Sequence, residues 1–231
     1  MKSILLDIEG TTTPIEFVHK ILFPFARRKV PGYISTNFEN LESEILQFIS
    51  EHQKDLGYTD HFDPTSAKSV AKYLAFLIDA DRKSTPLKSI QGKIWKEGYE
   101  SGELKSEIFD DVPDAFERWK SAGMNVAIYS SGSVLAQQLL FRYTNHGDLT
   151  PFISSYFDTN IGPKRDSKSY EAIAAEIDIS PAEILFVSDI IAELDAAREA
   201  GLSTALAVRP GNPPIETDVS HRVVTTFDGL E

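Results

Sequence analysis

Short runs of consecutive apolar residues recur in the second half of the chain and predict buried β-strands. Longer segments between them repeat apolar residues at helical spacing. The runs are "NVAIYSS" (125–131), "SYFDT" (155–159), "EILFVSD" (183–189), "LSTALAV" (202–208) and "HRVVTTF" (221–227). Strands that are apolar on both faces are typical of a parallel sheet covered by helices. The pattern therefore predicts an α/β fold built on a Rossmann-like parallel sheet.

The apolar run "ILLDI" (4–8) lies far upstream but has the same character, so we place it in the same sheet. Between residues 15 and 105 the strand patterns nearly vanish, and segments such as 63–80 space their apolar residues along one helical face. We expect residues 1–14 and 106–231 to form the α/β catalytic core and residues 15–105 to form an inserted α-helical cap. An insertion placed directly after the first strand is expected to overhang the sheet edge at which α/β proteins bind ligands.

Polar residues and glycines mark several helix boundaries. Asp63 and the proline after it predict the start of the helix over 63–80. Asp111 predicts the start of another helix, and Gly123 predicts its end. We therefore expect one helix to begin at each of these two aspartates.

Composition narrows the functional classes. The chain has 231 residues, of which 42% are hydrophobic, and this suffices for a full core. A formal net charge of −12 and a pI near 4.9 argue against a nucleic-acid partner. The absence of cysteine from the sequence excludes a disulfide framework and a thiolate nucleophile. The first residues lack the pattern of a signal peptide or a membrane span, so we expect a cytoplasmic protein with no membrane partner.

Polar residues follow four of the predicted strands, at the edge where parallel strands present their ligands. Taken singly, each has an ordinary structural interpretation as a turn residue, a solvated charge or, for Asp189, the cap of a helix near Ile190. Their combination at one edge favours a ligand site. In chain order these residues are Asp7, Glu9, Ser130, Ser131, Lys164 and Asp189.

The residue types at this edge suit phosphate chemistry. Carboxylates brought together repel one another unless a cation neutralises them, and oxygen ligands are those that Mg²⁺ prefers. A lysine and small hydroxyl groups are suited to hold phosphate oxygens. The set therefore indicates phosphoryl transfer with Mg²⁺ as cofactor.

Four segments carry a resemblance to a known family: "DIEGTTTPIEFV" from Asp7, "IYSSGS", "IGPKRDSKSY" around Lys164, and "FVSD" ending at Asp189. Together they resemble the haloacid dehalogenase superfamily of aspartyl phosphatases. Within it the chain looks like the enolase-phosphatases (acireductone synthases) of methionine salvage, because Glu9 stands where most members have aspartate and because "GTT" and "YSSGS" are similar to that narrower family. The resemblance covers about residues 4–209.

The resemblance implies a bifunctional enzyme that acts on a diketo methylthiopentyl phosphate. Its enolase half makes an enol phosphate, and its phosphatase half removes the phosphate to give the acireductone. It further implies that Asp7 attacks phosphorus, while Glu9 protonates the leaving oxygen and then activates water. A monomer is expected on the same ground. The resemblance assigns the substrate phosphate to Ser130, Ser131 and Lys164, and Mg²⁺ to Asp7, Glu9 and Asp189.

Two other interpretations stay open. A capped phosphatase of the same superfamily could act on another metabolite, and a receiver-type phospho-aspartate module also places acids, a hydroxyl and a lysine around Mg²⁺. The receiver is disfavoured because it carries its acceptor on a middle strand and lacks a helical insertion. The sequence leaves open the base for enolisation and whether Glu9 binds the metal by its side chain or main chain. Candidates for an apolar methylthio pocket are Phe17, Phe23 and Trp95.

Overall fold

The computed structural model describes residues 1–82, 84–214 and 220–230. The chain divides into two compact units, of which one comprises Met1–Val18 and Lys105–Glu231 and the other comprises His19–Leu104. The first unit contains the β-sheet, and the second is helical. The first boundary falls after residue 18 rather than 14, because the short helix that follows the first strand groups with the sheet.

A six-stranded parallel sheet forms the centre of the first unit, in the order β3-β2-β1-β4-β5-β6. This finding confirms the predicted α/β fold. In β1, Leu5 is fully buried and pairs with Ala127 of β2 on one side and Phe186 of β4 on the other. The strand order reverses between β1 and β4, and such a switch point is where open α/β sheets bind ligands. The strands are β1 (Ser3–Leu6), β2 (Asn125–Tyr129), β3 (Ser155–Phe157), β4 (Ile184–Ser188), β5 (Ser203–Ala207) and β6 (Arg222–Val224).

Helices of the first unit cover the sheet through a continuous apolar core. Tyr170 packs between Tyr129 and Phe186, with ring centroids 5.5 and 5.1 Å away. The rings of Trp119 and Phe227 lie 5.6 Å apart in a second part of the core. The helices of this unit are α1 (Ile15–Phe17), α6 (Asp111–Ser121), α7 (Val134–Arg142), α8 (Ser167–Glu176) and α9 (Ile191–Glu199).

The helical unit packs amphipathic helices around its own core. Its helices are α2 (Phe23–Asn37), α3 (Glu42–His52), α4 (Ala67–Asp79) and α5 (Thr85–Glu100), and a π-helical turn, Val18–Leu22, precedes them. An aromatic cluster around Tyr73 includes Phe48, Tyr58 and Phe62, with ring centroids 4.9 to 5.9 Å from that of Tyr73. In the described ranges, no helix combines the length and apolar character needed to span a membrane.

The two aspartate boundary signals have different outcomes. The helix expected at Asp63 begins instead at Ala67, because Ser66 is its cap and accepts a hydrogen bond from the Ser69 N–H at 3.3 Å. The prediction at Asp63 is therefore wrong. The helix expected at Asp111 does begin there, and Gly123 follows its end with φ +72°. The Asp111 carboxylate, however, binds a buried arginine far along the chain, as described below.

Candidate active site

Asp7 is fixed at the switch point of the sheet. Its backbone N–H donates to the Val187 carbonyl at 3.0 Å, so the pairing of β1 with β4 continues through this residue. The chain then turns tightly, because the Ile8 carbonyl accepts from the N–H groups of Thr11, Thr12 and Thr13. We call residues 8–13 the catalytic turn. It holds Asp7, which is 6% exposed, at the carboxyl end of the central strand.

Lys164 reaches Asp7 directly. Its Nζ lies 2.5 Å from Asp7 Oδ1 and 2.6 Å from Glu193 Oε2, and its side chain is 9% exposed. The loop that carries it is anchored from the core, because the Tyr170 hydroxyl donates to the Lys164 carbonyl at 2.7 Å and the Tyr129 hydroxyl to the Gly162 carbonyl at 2.9 Å. Lys164 is therefore a buried member of the site rather than a solvated surface charge.

Asp189 follows β4 and lies over the catalytic turn. Gly10 has φ +65°, and a Cβ placed on it would lie only 2.5 Å from Asp189 Oδ2. The turn therefore requires glycine, and its absent side chain leaves space for the carboxylate. Helix α9 begins after Ile190 with no side-chain cap among the described residues, so the alternative role of Asp189 as a helix cap is wrong.

Glu193 is a site residue that the sequence analysis missed. Its Oε2 accepts from Lys164 Nζ and, at 3.1 Å, from the Ser188 hydroxyl, which in turn accepts from the Ile190 N–H. The available signal was its spacing, since it follows Asp189 by four residues in the first turn of a predicted helix. Lys164 Nζ thus contacts two carboxylates, those of Asp7 and Glu193. The Asp189 carboxylate lies close enough to feel the charges of all three groups.

This crowding shifts the protonation equilibria. Burial, together with the charges of Asp7 and Glu193, raises the pKa of Asp189 to about 7. Burial and the Asp7 charge likewise raise the pKa of Glu193. Burial alone lowers the pKa of Lys164, but the two carboxylates beside it outweigh that effect and raise the pKa above its usual value. Lys164 therefore stays charged, while the repulsion between the carboxylates favours a protonated form of Asp189 when no cation is bound.

Ser130 and Ser131 follow β2, which is the neighbour of β1. The Ser130 N–H donates to the Phe157 carbonyl at 3.1 Å, and its buried Oγ accepts from the Gly132 N–H at 3.3 Å. Ser131 is exposed. We call residues 130–133 the serine turn. It lies at the same sheet edge as Asp7, because β1 and β2 are parallel neighbours, and it carries small hydroxyl groups there.

The side chains at this site supply only some of the oxygen ligands that a small hard cation needs. Asp7 and Asp189 offer carboxylate oxygens, Gly10 leaves room for that of Asp189, and the repulsion between the two carboxylates favours a divalent ion. Among the described residues, however, no group of three or more His, Cys, Asp or Glu side chains could hold a metal ion. The three predicted ligands therefore do not form a three-carboxylate cluster. Mg²⁺ typically keeps several waters and binds through one or two carboxylates, which matches this arrangement.

The three candidates for an apolar pocket are divided between the two units. Phe17 is buried in the α/β unit. In the helical unit, the Trp95 indole N–H donates to the Leu22 carbonyl at 3.0 Å, and its ring lies 5.9 Å from that of Phe23. Trp95 thus has a structural role within its own unit.

Comparisons with known proteins agree with this geometry. A family model described as haloacid dehalogenase-like hydrolase matches residues 1–201. The enolase-phosphatase E1 of Synechococcus elongatus is 51% identical over 231 residues, which are 99% of this chain and 97% of that protein. The enolase-phosphatase E1 of Drosophila persimilis is 44% identical over 238 residues, or 99% and 94% of the two chains. A crystal structure of the UTR4 protein of Saccharomyces cerevisiae is 36% identical with a TM-score of 0.84 and covers 99% of both chains.

Proposed function

We propose the reaction of this chain on the basis of its family. The chain belongs to the enolase-phosphatases E1, which are haloacid dehalogenase-like hydrolases. The chain is a phosphoric monoester hydrolase of methionine salvage. It enolises a diketo methylthiopentyl phosphate and then removes the phosphate to leave the acireductone. The observation that carries the phosphatase half is the contact between Asp7 and Lys164 at the carboxyl end of the central strand. It pairs a carboxylate nucleophile with a cation suited to phosphate.

Asp7 and Glu9 divide the phosphatase chemistry. The Asp7 carboxylate attacks phosphorus, the ester P–O bond breaks, and Glu9 gives its proton to the departing enol oxygen. Water then attacks the phosphorus of the aspartyl-phosphate and gives a proton to Glu9. This step breaks the bond between phosphorus and Asp7, releases inorganic phosphate and restores the Asp7 carboxylate. Lys164 and the serine turn hold the phosphate oxygens during both steps. Glu9 is half-buried in the catalytic turn, two residues after the nucleophile.

Mg²⁺ is the proposed cofactor, and the Asp7 and Asp189 carboxylates and the main chain of Glu9 would hold it. When bound, it neutralises the phosphate dianion and polarises the substrate carbonyl. The excess of carboxylates around Lys164 supports this assignment. Glu193 has a different task, since it shares Lys164 with Asp7 and so keeps the ammonium beside the nucleophile.

Three further properties belong to the proposal. The helical unit serves as the cap of the enzyme. The protein acts as a monomer in the cytoplasm, on a small phosphorylated metabolite. The lack of cysteine and the metabolic role of the family support the compartment.

The test follows turnover of the diketo methylthiopentyl phosphate with and without Mg²⁺. Phosphate release and the ultraviolet absorbance of the enolic product are recorded together for the wild type and for Asp7→Asn. We expect both signals to require Mg²⁺, and we expect phosphate release to be lost in the variant. Glu9→Gln should lower turnover by about 10²- to 10⁴-fold while inorganic phosphate still binds.

A matched control separates the nucleophile from its surroundings. Asp166 caps α8 two residues after Lys164, and asparagine is an equally good cap, so Asp166→Asn should retain activity. Phosphate release by Asp7→Asn at the wild-type rate would contradict the role of Asp7. Release from para-nitrophenyl phosphate but not from the diketo substrate would instead identify a phosphatase of another metabolite.

A further inference from the structure

A buried side-chain amide holds the serine turn. Gln137 of α7 is 1% exposed, and its Nε2 donates to the carbonyl oxygens of Gly132 and Phe157, each at 2.8 Å. Because both acceptors are carbonyls, they fix which end of the amide is nitrogen. Gly132 belongs to the serine turn and Phe157 ends β3. Gln137 thus ties the turn to the sheet.

A second amide holds the catalytic turn in the same way. Asn212, which follows β5, donates from Nδ2 to the carbonyl oxygens of Gly10 at 3.0 Å and Ala207 at 3.3 Å. The Gly10 N–H donates to the Thr13 carbonyl at 2.8 Å, so the peptide planes on both sides of Gly10 are fixed. Glycine is the residue with the most backbone freedom to lose, so this restraint matters most at Gly10.

Each amide also keeps a buried oxygen that lacks a hydrogen-bond partner among the described residues, Oε1 of Gln137 and Oδ1 of Asn212. An unpaired buried acceptor is costly and calls for a donor. Oδ1 of Asn212 and Oδ2 of Asp189 face the same point, since a Cβ on Gly10 would lie 2.8 and 2.5 Å from them. The unpaired oxygen of Asn212 therefore lies beside a carboxylate assigned to Mg²⁺.

We infer that Asn212 and Gln137 are positioning residues with separate tasks, Asn212 for the Mg²⁺ side of the site and Gln137 for the phosphate side. Asn212 holds the catalytic turn between Asp7 and Asp189, and its Oδ1 accepts a hydrogen bond from water that accompanies the ion. Gln137 holds the turn that presents the serine donors. This inference rests on the proposed function, because it assumes that Mg²⁺ and phosphate bind at this site.

The test measures two affinities in wild type, Asn212→Ala and Gln137→Met. Titration calorimetry gives the Kd for Mg²⁺ alone, and the Kd for inorganic phosphate at Mg²⁺ well above each protein's own Kd. Asn212→Ala should raise the Mg²⁺ Kd about 10- to 100-fold and leave the phosphate Kd within about twofold. Gln137→Met should raise the phosphate Kd about tenfold and leave the Mg²⁺ Kd within about twofold.

A third variant controls for loss of stability. Ser84 caps α5 in the helical unit and donates to Glu51 at 2.6 Å, so Ser84→Ala should lower the unfolding temperature without moving either Kd. Asn212→Ser and Gln137→Leu replace the first variants if those fail to fold.

The outcomes separate the inference from the proposed function. Equal shifts of both affinities in both variants, or no shift in either, would overturn the separate positioning roles. A wild-type protein that binds neither Mg²⁺ nor phosphate would overturn the proposed site itself. The inference is supported if Asn212→Ala weakens only Mg²⁺ binding, Gln137→Met weakens only phosphate binding, and Ser84→Ala changes neither Kd.

Discussion

At the scale of a single residue, two features of the catalytic turn require glycine at position 10. Its φ of +65° disfavours any side chain, and the space above its α-carbon is occupied by oxygens of Asp189 and Asn212. Conformation and packing thus impose the same restriction at a position next to Glu9. A change there should affect both stability and the site.

Gly10→Ala is predicted to reduce activity more than its stability loss explains. The left-handed conformation costs about 1–2 kcal/mol for a residue with a Cβ, and the added methyl displaces Asp189, which lies 2.5 Å from its position. We expect the Mg²⁺ Kd to rise and turnover to fall at least about tenfold, as a displacement worth 1.4 kcal/mol would produce. Steady-state kinetics and Mg²⁺ titration measure these effects.

Gly123→Ala is the matched control. Gly123 has a similar φ of +72° at the end of α6, but among the described residues no atom beyond its two chain neighbours lies within 4 Å of its Cβ position. It should lose comparable stability and keep wild-type kinetics. If the two variants lost activity equally, the packing argument for Gly10 would be wrong.

At the scale of elements, a buried carboxylate joins two helices of the helical unit. Glu44 of α3 is 8% exposed, and its Oε1 accepts from Lys93 Nζ at 2.5 Å and from Ser89 Oγ at 2.8 Å, both on α5. Burial raises the pKa of Glu44, but the hydrogen bonds from Lys93 and Ser89 outweigh it and lower the pKa below its ordinary value of 4.5.

Glu44→Gln is predicted to destabilise the helical unit in a pH-dependent way. A carboxyl whose pKa is lower in the folded protein contributes stability that is present above its unfolded pKa and lost as the pH falls through the folded pKa. Since the Lys93 side chain is 40% exposed, we expect only about 1 kcal/mol at pH 7. Urea unfolding should show this difference at pH 7 and its disappearance at low pH.

An exposed ion pair of the same unit provides the comparison. Lys96 and Glu100 lie one helical turn apart on α5 at 3.8 Å, and both side chains are about half exposed. Glu100→Gln should change the free energy of unfolding by less than about 0.5 kcal/mol. A Glu44→Gln difference that persisted unchanged at acid pH would show that the ion pair is not its source.

Another ion pair joins elements that are distant in the chain. Arg209, which follows β5, is 5% exposed, and its Nη1 lies 2.9 Å from an oxygen of Asp111, the first residue of α6. Its Nε donates to the Thr11 carbonyl of the catalytic turn at 3.0 Å. The guanidinium lies between the rings of Phe109 and Phe227, 4.8 and 4.3 Å from their centroids.

Asp111→Ala is predicted to cost about 3 kcal/mol, because it leaves a buried arginine without its carboxylate. The Phe227 N–H, which donates to Asp111 at 2.6 Å, also loses its acceptor. Urea unfolding of the variant measures the loss. Asp228→Ala is the control, since its carboxylate is 72% exposed and 3.9 Å from Arg118, and should cost less than about 0.5 kcal/mol. Equal losses in the two variants would contradict the buried-pair argument.

At the scale of the whole molecule, features that follow from local sequence patterns can be predicted from the sequence. Features that depend on tertiary contacts cannot. The buried strands follow from continuous apolar runs, and the convergence of Asp7 and Asp189 follows from parallel strands that end at one edge. Gln137 and Asn212 carry no comparable signal, because an isolated amide acquires its role only from the carbonyls that the fold brings to it. The Asp63 start failed because Ser66 competes as a cap three residues later.

The balance of charge in the α/β unit leads to a prediction for the folded protein. The Asp7 and Glu193 carboxylates share the Lys164 ammonium group, and their charges help to raise the pKa of Asp189, so the folded site contains a repulsion between carboxylates that the unfolded chain lacks. A divalent cation that binds only the folded state stabilises it by mass action. The gain is about 2.7 kcal/mol when the free ion is at 100 times its Kd.

Mg²⁺ should therefore raise the stability of the α/β unit, and Asp189→Asn should abolish the effect. The chain has two tryptophans, and Trp119 lies in the α/β unit while Trp95 lies in the helical unit. In a Trp95→Phe background, Trp119 fluorescence during urea unfolding reports on the α/β unit alone. NaCl at equal ionic strength controls for screening, because a screening effect would appear with either salt. If Mg²⁺ stabilised the Asp189→Asn variant as much as the protein with Asp189, the ion would bind elsewhere. If Mg²⁺ stabilised only the protein with Asp189, the result would support Mg²⁺ binding at the sheet edge where Asp7 lies.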